Sequence, residues 1–201
     1  MKKSDIVVSL VIGEIVALYF VNLLGEISDK LPIPGSWLWS LTVIFPVLSI
    51  VCLWLASLIG KRFLFVYQLA KFILIGALAT IFDLGTLSLF IKLSAVTAGV
   101  YYLVFKGISF IIATAAKYFA DKFWAFEKKE TTRMAKEFIR FFLVTAVGLV
   151  INVGAAGLFV NMLKPQMGFS AESWANLGGI FAVLITFTWN FIGYKFIVFK
   201  K

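Results

Sequence analysis

The chain contains no histidine and a single cysteine, Cys52, among its 201 residues. Without histidine it lacks the usual general base and the commonest metal ligand. With one cysteine it can form neither an internal disulfide nor a thiolate cluster for zinc. This composition also excludes catalytic triads of the Ser-His-Asp and Cys-His types. We therefore expect no metal site, no cofactor and no enzymatic activity.

Charged residues are scarce, at 14% of the chain, whereas 62% of the residues are hydrophobic. A soluble domain is only about half apolar. The apolar runs have the length of a helix that crosses a bilayer, and none alternates like a barrel strand. We therefore predict an all-α integral membrane protein. Its six transmembrane helices are predicted at residues 6–24, 37–59, 69–91, 99–120, 138–160 and 174–194.

The net charge of +9 follows the predicted topology. Most lysines and arginines flank the helix ends that share one side with both termini, whereas Lys30, Lys92 and Lys164 fall on the other side. Basic residues accumulate on the cytoplasmic side of membrane proteins. We therefore expect a multi-pass protein of the cytoplasmic membrane with both termini in the cytoplasm. The basic surface indicates contact with anionic lipid and no nucleic-acid partner.

The sequence contains an internal repeat. Residues 71–91 align with residues 140–160, with Phe72 on Phe141 and the acidic Asp83 on Asn152. The polar residue inside the apolar run and the basic residue that precedes it both keep register, which indicates a duplication.

The second helix of each copy supports the duplication, because residues 117–126 align with residues 190–199. Each repeat is then a helix, an outer loop, a second helix and a final segment rich in basic and aromatic residues. We call this final segment the exit. We predict two domains, an N-terminal transmembrane hairpin at 1–62 and a four-helix domain at 63–201. The two repeats of that domain span about 66–129 and 134–201.

Ionisable residues inside predicted spans are candidates for function, because burying a charge in hydrocarbon costs at least about 2.5 kcal/mol. By helix rise, Asp83 lies about 12 Å and Lys106 about 10 Å below the outer surface. An ion pair between them is geometrically possible, with Asn152 at the same level. The three residues either hold the bundle together or form a polar pocket. Glu14, in the first span, has the same two interpretations.

Lys122 and Lys195 occupy matching positions after the second helix of each copy. They either fix the topology or meet a phosphate group at the inner surface. The small residues from Gly154 to Gly157 permit close helix contacts, within one chain or between copies in a homo-oligomer.

The repeat resembles the GtrA-like family of small four-span proteins, which is also found as the membrane domain of some dolichol-phosphate mannose synthases. The resemblance covers about residues 66–201 and not the first hairpin. The matching residues of the first copy are Ile75, Gly76 and Asp83, and those of the second exit are Asn190, Phe191, Lys195 and Phe199. The first copy departs from the pattern, with Lys117 and Tyr118 in place of Asn-Phe.

The resemblance implies that the chain flips a polyprenyl-phosphate-linked sugar across the cytoplasmic membrane for cell-surface polysaccharide or glycan synthesis. Two copies of a two-helix repeat have the same orientation, so a site is expected between them. We call the predicted path for the sugar phosphate the polar seam, formed by Asp83, Lys106, Lys117, Asn152 and Asn190.

Two alternatives stay open at this point. In the first, the chain anchors a separate glycosyltransferase through the connection at 121–137. In the second, it is a small proton-coupled transporter that uses Glu14 and Asp83. The expected partners are the lipid-linked sugar and membrane lipid, with a glycosyltransferase in the first alternative.

Overall fold

The computed structural model describes residues 1–25, 34–96, 99–163 and 171–200. For the helical residues 99, 102, 103, 106, 156, 157, 160, 161 and 171–180 it describes the backbone and not the side chains. All regular structure in the described residues is helical, which confirms the predicted all-α fold. The α-helices are α1 (Lys3–Gly25), α2 (Leu41–Gly60), α3 (Leu64–Ser94), α4 (Gly99–Ala120), α5 (Met134–Met162) and α6 (Ala171–Gly193).

Five helical stretches are long and apolar enough to cross a bilayer, by length and composition. They are Lys3–Gly25, Gly35–Gly60, Leu64–Ser94, Met134–Ala155 and Phe181–Val198. The protein is therefore a multi-pass membrane protein. The predicted fourth span coincides with α4, and its passage across the membrane stays a prediction.

Several helices extend beyond the predicted spans. The third and fifth spans were predicted to begin at residues 69 and 138, but α3 begins at Leu64 and α5 at Met134. Hydropathy marks only the part of a helix that lies in hydrocarbon, whereas backbone hydrogen bonding continues into the polar interface. The predicted second span begins differently, since Gly35–Ser40 is a 3₁₀ helix that leads into α2. Most of the predicted outer turn before it lies outside the described residues.

The chain forms two compact units, Met1–Glu127 and Lys128–Lys201. In the first unit, the hairpin of α1 and α2 packs against α3, and α3 packs against α4. In the second unit, α5 packs against α6. The N-terminal hairpin thus shares a compact unit with the first repeat.

A close helix contact fixes the N-terminal hairpin. A Cβ atom on Gly13 of α1 would lie 2.6 Å from Cα of Pro46 and 2.9 Å from Oγ of Ser49, both on α2. Pro46 has no N–H to donate inside the helix, and its ring commonly bends the backbone at such a position. Only glycine lets the two backbones approach this closely.

A buried ion pair attaches α1 to the first repeat. Asp5 and Lys71 each expose 1% of their side chains, and Lys71 Nζ lies 2.9 Å from Asp5 Oδ1. Tyr67 donates its hydroxyl hydrogen to Asp5 Oδ2 at 2.7 Å. Trp124 donates its indole N–H to Asp5 Oδ1 at 2.8 Å. One carboxylate therefore joins the start of α1, the start of α3 and the segment that follows α4.

Glu127 covers this ion pair from the solvent side. Its carboxylate lies 3.2 Å from Lys71 Nζ and 2.7 Å from Lys2 Nζ. The hydrogen bond from Lys2, with that from Lys71, holds the pKa of Glu127 below its ordinary value. Glu127 has a φ of 50°, a left-handed conformation that costs a non-glycine residue about 1–2 kcal/mol. The two ion pairs hold the residue in this conformation.

The two repeats end in the same local structure. Residues Asp121–Ala125 and Tyr194–Val198 are π-helical turns at equivalent positions of the alignment. Phe126 N–H donates to the Asp121 carbonyl at 2.9 Å, and Phe199 N–H donates to the Tyr194 carbonyl at 2.8 Å. π-Helical turns are rare and are frequent at functional sites. Each repeat thus has a distinctive exit that hydropathy could not reveal.

We predict that Asp5→Ala lowers the free energy of unfolding by about 3–5 kcal/mol, because it leaves the Lys71 ammonium buried without its main partner. Thermal or denaturant unfolding in detergent measures the change. Glu127→Gln is the matched control, since its carboxylate is 41% exposed and exposed pairs contribute only about 0–1 kcal/mol. Equal effects of the two substitutions would contradict a central role for Asp5.

Candidate functional site

Asp83 connects α3 to α4 within the membrane-spanning part of the first unit. Ser109 of α4 donates its hydroxyl hydrogen to Asp83 Oδ1 at 2.6 Å. Ser109 is fully buried and Asp83 is half-buried. Lys106 precedes Ser109 by one helical turn on α4, but its side chain lies outside the described part, so its pairing with Asp83 stays a prediction. Ser109 was not among the residues predicted from the sequence, although residues three apart on a helix share a face.

Lys117 of α4 forms an ion pair with Asp121, one turn further along the chain. Its ammonium also lies 4.0 Å from the ring centroid of Phe72 on α3, a cation–π geometry. Asp121 is fully buried, and its Oδ1 atom has no hydrogen-bond partner among the described residues. A buried acceptor without a partner costs about 1–3 kcal/mol. The pair can therefore accept a donor from a ligand while Lys117 supplies a positive charge.

An apolar groove runs along α3 beside Lys117. Its first part is a cavity of about 300 Å³ lined by Ile15, Ile75, Leu78, Ala79, Phe82, Ala116, Lys117 and Ala120. Its second part, of about 280 Å³, shares three of these residues and continues along α3 to Leu89. From Ile75 to Leu89 the groove covers about 21 Å of helix rise. Among the described lining residues, Lys117 is the only one with a charge.

In the second unit, Asn190 of α6 lies directly against α5. A Cβ atom on Gly148 would come within 2.5 Å of Asn190 Oδ1, so glycine makes room for the amide. That oxygen is buried and has no hydrogen-bond partner among the described residues. Asn152 follows Gly148 by one turn on α5 and is half-buried. The two predicted amides therefore lie along the contact between α5 and α6.

The departure of the first repeat from the family pattern has a structural counterpart. Lys117 aligns with Asn190, and its partner Asp121 aligns with Tyr194. The Tyr194 hydroxyl lies 2.6 Å from Thr145 Oγ1, and its ring stacks on Phe141 with the centroids 4.1 Å apart. The first repeat thus holds an ion pair where the second holds a neutral amide and a phenol. Both members of the pair therefore differ between the repeats.

The two lysines of the exits differ in exposure. Lys122 is fully buried, with its ammonium 5.9 Å from the ring centroids of Tyr118 and Phe123. Lys195 is half-buried between Phe191 and Phe196, at 5.8 and 5.6 Å. A phosphate group that contacts Lys122 requires the first π-helical turn to open, whereas Lys195 is already partly accessible. Their predicted contact with phosphate stays a prediction.

The described residues of the polar seam are divided between the two units. The first unit contributes Asp83 and Lys117, and the second contributes Asn152 and Asn190. In addition, the structure reveals Ser109 and Asp121 as direct partners of two seam residues. The path between the repeats that the sequence suggested stays a prediction.

We predict that Lys117→Met lowers the free energy of unfolding by about 3–5 kcal/mol, because it leaves the Asp121 carboxylate buried without a counter-charge. The double variant Lys117→Met/Asp121→Leu restores most of that stability, since apolar residues of similar volume often replace a buried pair at little cost. Unfolding in detergent measures both. Additive losses in the double variant would show that the two side chains are not coupled.

The sequence was also compared with known proteins. The family model described as GtrA/DPMS, transmembrane domain, matches residues 71–199. The match covers both repeats and begins at Lys71, the residue that binds Asp5. Comparison with curated proteins and with solved structures gave no match.

Proposed function

We propose that this chain, which belongs to the GtrA/DPMS transmembrane-domain family, moves a polyprenyl-phosphate-linked sugar from the cytoplasmic to the outer leaflet of the cytoplasmic membrane. The observation that carries the proposal is the apolar groove that ends at Lys117. A polyprenyl phosphate has the same arrangement, since a long apolar chain ends in a negatively charged group.

The lining of the groove favours an isoprenoid chain. It consists mainly of alanine and branched or aromatic side chains on α1, α3 and α4. Ligand pockets are mostly apolar and use a few polar groups to orient the ligand. The Lys117 ammonium, which already lies over an aromatic ring and beside a carboxylate, is the group that orients the phosphate.

Polar groups deeper in the bundle suit the sugar. In the first unit, the Asp83 carboxylate and the Ser109 hydroxyl lie together at 2.6 Å. In the second, the Asn190 amide oxygen has an unused acceptor position among the described residues. Sugar hydroxyls both donate and accept hydrogen bonds, so these groups can replace part of the hydration that the sugar loses. The protein acts here as a carrier, and the net direction follows consumption of the lipid-linked sugar outside.

We expect Ala79→Phe to slow the transfer of a polyprenyl-phosphate sugar in proteoliposomes by at least about tenfold, equivalent to ~1.4 kcal/mol. The new ring fills the first part of the groove, beside Lys117, and an impermeant reagent reports the label that reaches the outside. Ala77→Phe is the matched control. It adds the same ring on an exposed position of α3, and we expect transfer within about twofold of the wild type. Equal inhibition by both variants would contradict a role for the groove.

The double variant Lys117→Met/Asp121→Leu separates transport from stability. It keeps the bundle folded by the argument above, yet removes the ammonium that would orient the phosphate. We therefore expect it to be folded and inactive in the same assay. Full activity of the folded double variant would exclude Lys117 from the transport path.

The same assay separates the alternatives. If the wild-type protein does not accelerate transfer of any lipid-linked sugar, an anchor for a glycosyltransferase becomes the better hypothesis, and co-purification of such an enzyme tests it. If it instead takes up a soluble substrate in a pH-dependent way, the proton-coupled transporter is favoured.

A further inference from the structure

A basic pocket lies in the second unit, where α5 begins and the second π-helical turn ends. Its volume is about 340 Å³, and five of its nine lining residues are basic while two are acidic. The basic residues are Lys128, Arg133, Lys136, Arg140 and Lys200. One acidic residue, Glu137, pairs with Lys128 at 2.6 Å. The pocket therefore has a formal charge of +3.

This pocket is the repeat counterpart of the Asp5 site in the first unit. In the alignment of the repeats, Lys136 matches Tyr67 and Arg140 matches Lys71. Both residues of the first unit bind the Asp5 carboxylate. The same position of the fold thus holds the Asp5 carboxylate of α1 in the first unit and forms a cavity in the second unit.

Two substitutions between the copies raise the positive charge, whereas the replacement of Gln68 by Glu137 lowers it. The phenol of Tyr67 is replaced by the ammonium of Lys136, and the acidic Glu127 is replaced by the basic Lys200. In the first unit, the Lys71 ammonium is balanced by two carboxylates, those of Asp5 and Glu127. The second copy has a surplus of cations that suits a group with more than one negative charge and several acceptor oxygens.

We infer that the basic pocket of the second unit binds a phosphate group at the membrane surface. Arg133, Lys136 and Arg140 are all exposed, and arginine binds phosphate through two parallel hydrogen bonds. The pocket lies at the start of one candidate span and the end of another, Met134–Ala155 and Phe181–Val198. This is the level of lipid headgroups, where each basic residue gains about 1 kcal/mol from anionic lipid. The inference does not depend on transport.

The test measures binding of a short-chain phosphatidic acid to the full-length protein in phosphatidylcholine nanodiscs by calorimetry. Lys136→Gln/Arg140→Gln removes two pocket charges, and we expect at least about a tenfold loss of affinity. Lys61→Gln/Arg62→Gln is the matched control. It removes two exposed charges between α2 and α3, which do not line the pocket. We expect it to change the affinity by less than about twofold.

A second variant tests the comparison of the repeats. Lys200→Glu restores the acidic residue of the first copy at an exposed position, so the fold should survive while phosphate binding is lost. Unchanged affinity of this variant would overturn the inference, as would equal losses in the pocket and control variants. Absence of binding to the wild-type protein would overturn it too.

Competition with inorganic phosphate identifies the source of the group. If inorganic phosphate displaces the lipid, the pocket recognises phosphate in any molecule. If it does not, while the pocket variants still lose binding, the pocket recognises a lipid headgroup. Both results support the inference.

Discussion

The buried ion pair between Asp5 and Lys71 organises the first unit. Two charges with almost no exposure are costly to remove from water, and the cost is offset only when every remaining acceptor position is used. Tyr67 and Trp124 fill those positions. Because the four residues come from α1, α3 and the first exit, none of these segments can move independently without exposing a charge. The hairpin outside the duplication is thereby part of the first repeat's structure.

The two repeats have the same order of helices and differ in chemistry. Both exits are π-helical turns, and both repeats begin with a buried phenylalanine, Phe72 or Phe141. In the first unit, charged side chains form ion pairs with each other, since Asp5 of the hairpin binds Lys71 and Asp121 binds Lys117. In the second copy, a neutral Asn190 and an open basic pocket occupy the same places. Within the first unit, Asp5 of the hairpin occupies this position.

The sequence predicted the membrane class and the helices, because these depend on long apolar runs. It could not predict the pairs that hold the first unit together. Asp5 lay just outside the predicted first span, and its partners are far away in the chain. Hydropathy indicates that a segment is buried but not which polar group it contacts. For that reason, neither Ser109 nor the ion pair of Lys117 with Asp121 was predicted. The π-helical turns leave no mark on apolar periodicity.

The structure also gives the N-terminal hairpin a role that the repeat alone could not suggest. Ile15 of α1 lines both parts of the apolar groove, whose other walls are α3 and α4. A four-helix domain without the hairpin would keep Lys117 but lose one wall beside it. The Asp5–Lys71 pair fixes α1 ten residues before Ile15, close enough along a rigid helix to set the position of that wall. The interaction that stabilises the unit therefore also shapes the groove in which the lipid chain is proposed to lie.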